Sequence, residues 1–196
     1  MAARFYSLAS EVAVRARGPQ DYAPSRMALA LLIGTLLAIA GLLVTSIQGF
    51  AVGSGLAAAH PVARALMARH VGYAIPAVLF SLFSQSMVIF YFIGTGRLVK
   101  DETRDFPETE RRRILATLRD LKRRTSPAAT FALFSSITVF VLGGAVHTRA
   151  LPSWSHLAAS VLALAIHVWA LAAEWRAFGD NARLMSDPRR FAREGA

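Results

Sequence analysis

Five histidines carry most of the chemistry this chain offers. His60, His70, His147 and His156 fall at corresponding ends of long apolar runs, and His167 lies inside the last of them. Neutral imidazoles ligate zinc, copper and haem iron, and two that face each other from separate helices form the ligand set of a b-type haem. His70 opposite His156 is the expected pair, for metal or haem alike, with His147 as substitute. His156 and His167 share a helix face but lie about 16 Å apart along its axis, too far to bind one metal together. None of the histidines forms a close i,i+4 pair, and the chain has no cysteine, so thiolate sites, iron–sulfur clusters and disulfides are excluded. The plain alternative is a set of polar residues at headgroup depth, satisfied by water.

Gln85 and His167 form a second candidate group. Counted from the start of their apolar runs they reach nearly the same depth, and Thr35, Ser84, Ser86, Ser135 and Ser136 fall close to it. A quinone headgroup or another amphipathic small molecule suits such a belt. Ordinary hydrogen bonds between helices, worth about 0.6–2 kcal/mol each, suit it equally.

These residues are positioned by four apolar runs, 27–48, 71–93, 130–146 and 156–173, none of which contains Asp, Glu, Lys or Arg. A hydrocarbon core of about 30 Å needs roughly 20 apolar residues in a helix whose backbone polar groups are satisfied internally. The expected fold is all-α: an integral membrane four-helix bundle in a single domain, with a cytoplasmic amphipathic helix between the second and third spans. Hydrophobic residues make up 55% of the chain and charged residues only 17%, which leaves no room for a separate soluble domain. Helical periodicity groups His156, Ala159, Ala163, His167, Ala170 and Glu174 on one face of the fourth span. It groups His70, Ala74, Ala77, Ser81, Ser84 and Gln85 on the second, Ala30, Gly34, Ala38 and Gly41 on the first, and Ser135, Val139, Gly143 and His147 on the third. Small residues let helices approach closely in lipid, so these faces are expected to look inward.

Basic residues sort by segment. Of the 22 Lys and Arg residues, only Arg64, Arg69 and Arg149 fall in the first and third connections; the rest occupy the tails 1–26 and 174–196 and the connection 97–127. The positive-inside rule then places both termini and the middle connection in the cytoplasm of a bacterial inner membrane, as a multi-pass protein. All 12 acidic residues fall in the same segments, which disfavours a hard-cation site on the outer face and a carboxylate-based proton pump.

Within the middle connection, Pro107 followed by Glu108 and Glu110 reads as a helix start. Ile114, Leu115, Leu118 and Leu121 form a narrow apolar stripe. Arg111, Arg112, Arg113, Arg119, Lys122, Arg123 and Arg124 cover the other faces and suit anionic membrane lipid or a partner. The apolar first connection is expected to form an interfacial helix from near Pro61, lying over the histidine end. Gly94-Thr95-Gly96-Arg97 lacks the context of a dinucleotide loop, and no nucleophile elbow, Walker loop or His-Glu-x-x-His run occurs, so an enzyme is not expected. Nucleic acid is excluded as a partner, because Phe106 is the sole aromatic between Lys100 and Thr130.

Three functional expectations follow. The first is a non-catalytic subunit of an inner-membrane assembly, packed against other subunits or copies of itself through small-residue faces. The second is an electron-transfer module with a b-type haem at His70 and His156 and a quinone near Gln85 and His167. The third is an oligomeric channel or small-molecule transporter. Tags fused to the two chain ends are expected to react only from the cytoplasmic side of sealed vesicles; reaction from the outer side alone would invert the topology.

Overall fold

The computed structural model describes residues 24–53 and 60–188. They form four helices, α1 (Pro24–Gly53), α2 (His60–Glu102), α3 (Glu108–His147) and α4 (Ser153–Ser186), each long and apolar enough to cross a membrane. The 43 residues of α2 extend about 65 Å, roughly twice the hydrocarbon thickness, so helical structure continues beyond the apolar zone. α1 packs on α2 and α4, and α3 packs on the same two helices, which leaves α2 and α4 diagonal to each other across the bundle.

The surface of the apolar zone is built inside out relative to a protein that meets water. Leu36, Leu37, Val44, Leu79, Phe83, Phe90, Phe131, Phe134, Val161 and Leu162 are all exposed, while Thr35, Ser81, Gln85, Ser136, His167 and Glu174 are fully buried. Large side chains on the outside and polar ones within are compatible with a multi-pass protein whose outer face meets lipid.

Two kinds of core hold the helices. At the end bearing the basic residues, bulky side chains interlock: Tyr91, Phe92 and Val99 of α2, Ile114, Leu118 and Leu121 of α3, and Phe178, Leu184 and Met185 of α4. Phe92 and Phe178 stack with ring centroids 5.2 Å apart, and Tyr91 meets both edge-on. Toward the histidine end the buried residues are small, including Ala38, Ala132, Ala163 and Ala170. A Cβ on Gly41 would come within 3.3 Å of Ala77 Cβ, so this glycine sets how closely α1 approaches α2.

The expected inward faces hold for α2 and α4. On α4 the buried residues include Ser160, Ala163, His167, Ala170, Glu174 and Ala177, in steps of three and four. α1 is turned slightly from the expected register: Ala30 is exposed, and Leu31, Leu32, Thr35, Ala38, Leu42 and Thr45 face the interior. On α3, Ala132, Ser136 and Val139 are buried while His147 is exposed.

The basic segment is not a separate element. Residues 108–124 are the first turns of α3, which runs on through Pro127 into the apolar stretch. Its stripe of Ile114, Leu118 and Leu121 is consumed inside the bundle against α2 and α4, so the stripe is not a free face for lipid or a partner. The break from α2 is short. Thr103 ends that helix with its hydroxyl donating to the Val99 carbonyl at 2.7 Å, and Glu108 and Glu110 occupy the first turn of α3, where acidic groups oppose the helix dipole favourably. Glu108 pairs with Arg111 and Arg112, and Asp120 with Arg124, all exposed pairs of small energetic weight.

The apolar first connection also differs from expectation. α2 begins at His60 and continues unbroken, so Arg64 and Arg69 sit on its extension rather than on an independent interfacial helix; residues 54–59 lie outside the described residues, as do the tails 1–23 and 189–196. Between α3 and α4, Arg149 takes φ 61° and the Ala150 N–H returns to the Ala145 carbonyl at 2.9 Å, a left-handed helix stop.

Ile114 is fully buried where α2, α3 and α4 converge. Ile114→Ala should destabilise the protein by about 2–5 kcal/mol, read as a lower thermal midpoint in detergent, because it deletes buried methyl groups and leaves a cavity.

Candidate functional site

Polar side chains occupy four levels along the bundle axis. At the first, His70 of α2 and His156 of α4 meet across the diagonal with ring centroids 6.1 Å apart and planes inclined by 74°. Each ring lies over a glycine of a flanking helix. A Cβ on Gly49 of α1 would come within 3.1 Å of His70 Cε1, and a Cβ on Gly143 of α3 would come equally close to His156 Cε1. The backbone of Thr45 faces His70 and that of Val139 faces His156, in both cases the residue four before the glycine. The two halves of the bundle thus present their imidazoles in the same way. Nδ1 of each ring is buried without a hydrogen-bond partner of good geometry.

His147 does not join this pair. His147 is the last residue of α3, exposed, one turn past Gly143. His60 opens α2 about 15 Å before His70 along the helix.

The second level ties three helices together. The Ser81 hydroxyl of α2 lies 2.8 Å from His167 Nε2 of α4 and 2.9 Å from the Ser136 hydroxyl of α3. His167 Nδ1 lies 2.8 Å from the Ala163 carbonyl. A carbonyl only accepts, so Nδ1 carries the proton and Nε2 accepts from Ser81. Both ring nitrogens are therefore engaged, and His167 has no free atom for a quinone carbonyl.

Gln85 faces a different group from the one its depth suggests. Its neighbour at the third level is Glu174 of α4, not His167. The Thr35 hydroxyl of α1 donates to Glu174 Oε2 at 2.9 Å, while Glu174 Oε1, both amide atoms of Gln85 and the Ser84 hydroxyl are buried without a hydrogen bond of good geometry. Sequence reasoning placed Glu174 on the inward face of its helix but counted it with the charged tail, because charge-free runs end at Ala173. At the fourth level Asn181 Nδ2 donates to the Tyr91 hydroxyl at 3.1 Å, beside the stacked aromatic rings.

The donor set of the first level constrains what it can hold. A structural zinc ion takes four protein ligands and a catalytic one three. Among the described residues no group of three or more His, Cys, Asp or Glu side chains surrounds a common point. Haem iron receives four nitrogens from its own macrocycle and asks the protein for two. His70 and His156, with ring centroids 6.1 Å apart on facing helices, are the two side chains that would supply those ligands.

The basic side chains line the flanks of α3. Arg112, Arg113, Arg119, Arg123 and Arg124 are exposed, and Arg111 and Lys122 are half-buried. The Lys122 stem crosses Gly96 of α2, where a Cβ would come within 3.3 Å of its Cε, and borders a cavity of about 100 Å³ between α2 and α3 with Phe92, Thr125 and Ser126.

Comparison of the chain with protein-family models, with curated proteins and with solved structures finds no match.

Ser81→Ala removes the hydroxyl that links α3 and α4 to α2 and should cost about 0.6–2 kcal/mol, measured as a lowered thermal midpoint. Ser153→Ala, at an exposed position on the same helix as His167, should leave the midpoint unchanged.

Proposed function

We propose that this protein is a non-catalytic electron-transfer subunit of a membrane, holding one b-type haem between His70 and His156. The observation that carries the reading is the imidazole pair itself, 6.1 Å apart on diagonal helices inside an apolar bundle. Gly49 and Gly143 support it, since they keep side chains of α1 and α3 away from the two rings. The haem would supply one-electron chemistry. His70 and His156 would hold the iron, while the backbones of Thr45 and Val139 face the two rings and would orient them.

The arginine distribution sets the histidine end at the outer face of a bacterial inner membrane and both termini in the cytoplasm. The exposed basic flank of α3 then lies at the inner leaflet, where Arg and Lys near the surface contribute about 1 kcal/mol each toward anionic lipid. The outer ring of large apolar side chains suits lipid and equally the helices of neighbouring subunits, which supports reading the bundle as one subunit of a larger inner-membrane assembly.

Protein purified from haem-replete cells should show a Soret band that shifts on reduction. His70→Ala and His156→Ala should each abolish it, while His147→Ala should retain it. A colourless wild-type preparation would contradict the haem reading and leave the bundle as a packing subunit.

A further inference from the structure

Glu174 is the one carboxyl placed wholly inside the bundle among the described residues, and no salt bridge accompanies it. A bare carboxylate in a low-dielectric interior is costly unless a proton or a bound cation neutralises it. Thr35 serves only one of its oxygens. Gln85 stands beside the carboxyl, fully buried, with neither of its amide atoms in a hydrogen bond of good geometry, and Glu174 Oε1 and the nearly buried Ser84 hydroxyl are left open in the same way. Ser84 packs over Gly34, where a Cβ would meet its Oγ at 3.1 Å, and Gly34 directly precedes Thr35. Adjacent residues of α1 thus meet both neighbours: Gly34 meets Ser84 of α2, and Thr35 meets Glu174 of α4. None of these groups serves the imidazole pair, which lies about 27 Å away along α4.

We infer that Glu174, Gln85, Ser84 and Thr35 form a binding site for a small monovalent cation, a proton or a sodium ion, that exchanges with the medium. The chemistry is that of a hard cation held by oxygen: one carboxylate oxygen, one amide oxygen and two hydroxyls from three helices. This site stands on its own side chains and does not depend on a haem at His70 and His156.

An apolar carbodiimide tests it, since that reagent enters lipid and forms a stable adduct only with a protonated buried carboxyl. The intact protein in liposomes is treated in sodium chloride and in choline chloride of equal ionic strength, across a range of pH, and adducts are located by mass spectrometry. A Glu174 adduct suppressed by sodium identifies a sodium site. An adduct that falls as pH rises but ignores sodium identifies a proton site. No adduct at Glu174, or one indifferent to both sodium and pH, would overturn the inference. Glu174→Gln, which keeps an acceptor for Thr35, should lose the adduct while the thermal midpoint shows that the bundle remains folded.

Discussion

A buried imidazole in an apolar bundle needs something for each of its ring nitrogens, and the histidines inside this fold meet that need in two different ways. His167 is complete: Ala163 takes its proton and Ser81 serves its other nitrogen. His70 and His156 are held more loosely: the backbones of Thr45 and Val139 face the rings, but Nδ1 of each is buried without a hydrogen bond of good geometry. The first arrangement is a structural bond that fixes the register of three helices. The second leaves two facing rings incompletely bonded, and the proposed haem site rests on that pair.

Close helix approach makes both arrangements possible. Gly34, Gly41 and Gly49 recur along α1 and meet Ser84, Ala77 and His70 in antiparallel order along α2. Gly143 repeats the last of these contacts in the other helical hairpin, over His156. Serine and threonine hydroxyls largely return to carbonyls of their own helix, as Thr95 does to Tyr91 and Thr125 to Leu121, so few polar groups remain for function. Among the described residues, most of the buried side-chain atoms left without a hydrogen bond belong to His70, His156, Ser84, Gln85 and Glu174.

Much of this was legible in the sequence, and the reason is periodicity. Charge-free runs mark the apolar helices, and steps of three and four place Ser81, Gln85, His167 and Glu174 on inward faces. The pairing of His70 with His156 follows from equal depth near the starts of two helices that run in the same direction. Depth counting failed where it needed accuracy better than a turn: Ser81 rather than Gln85 is level with His167, since each lies eleven residues past the facing His70 and His156, and Gln85, one turn further on, reaches Glu174. The fusion of the basic segment with α3 was hidden by Pro127, which reads as a helix start but sits inside a continuous helix. Neither the use of the Ile114 stripe within the bundle nor the open oxygens around Glu174 has a local signature, since both depend on which helices are neighbours.

The most direct test of the unfilled imidazoles is electron paramagnetic resonance of the purified, oxidised protein. Two axial histidines predict a low-spin ferric haem signal that is absent from a His70→Ala, His156→Ala double variant. A high-spin signal alone, or no iron signal in protein from haem-replete cells, would show that the two rings are not the ligands of a haem.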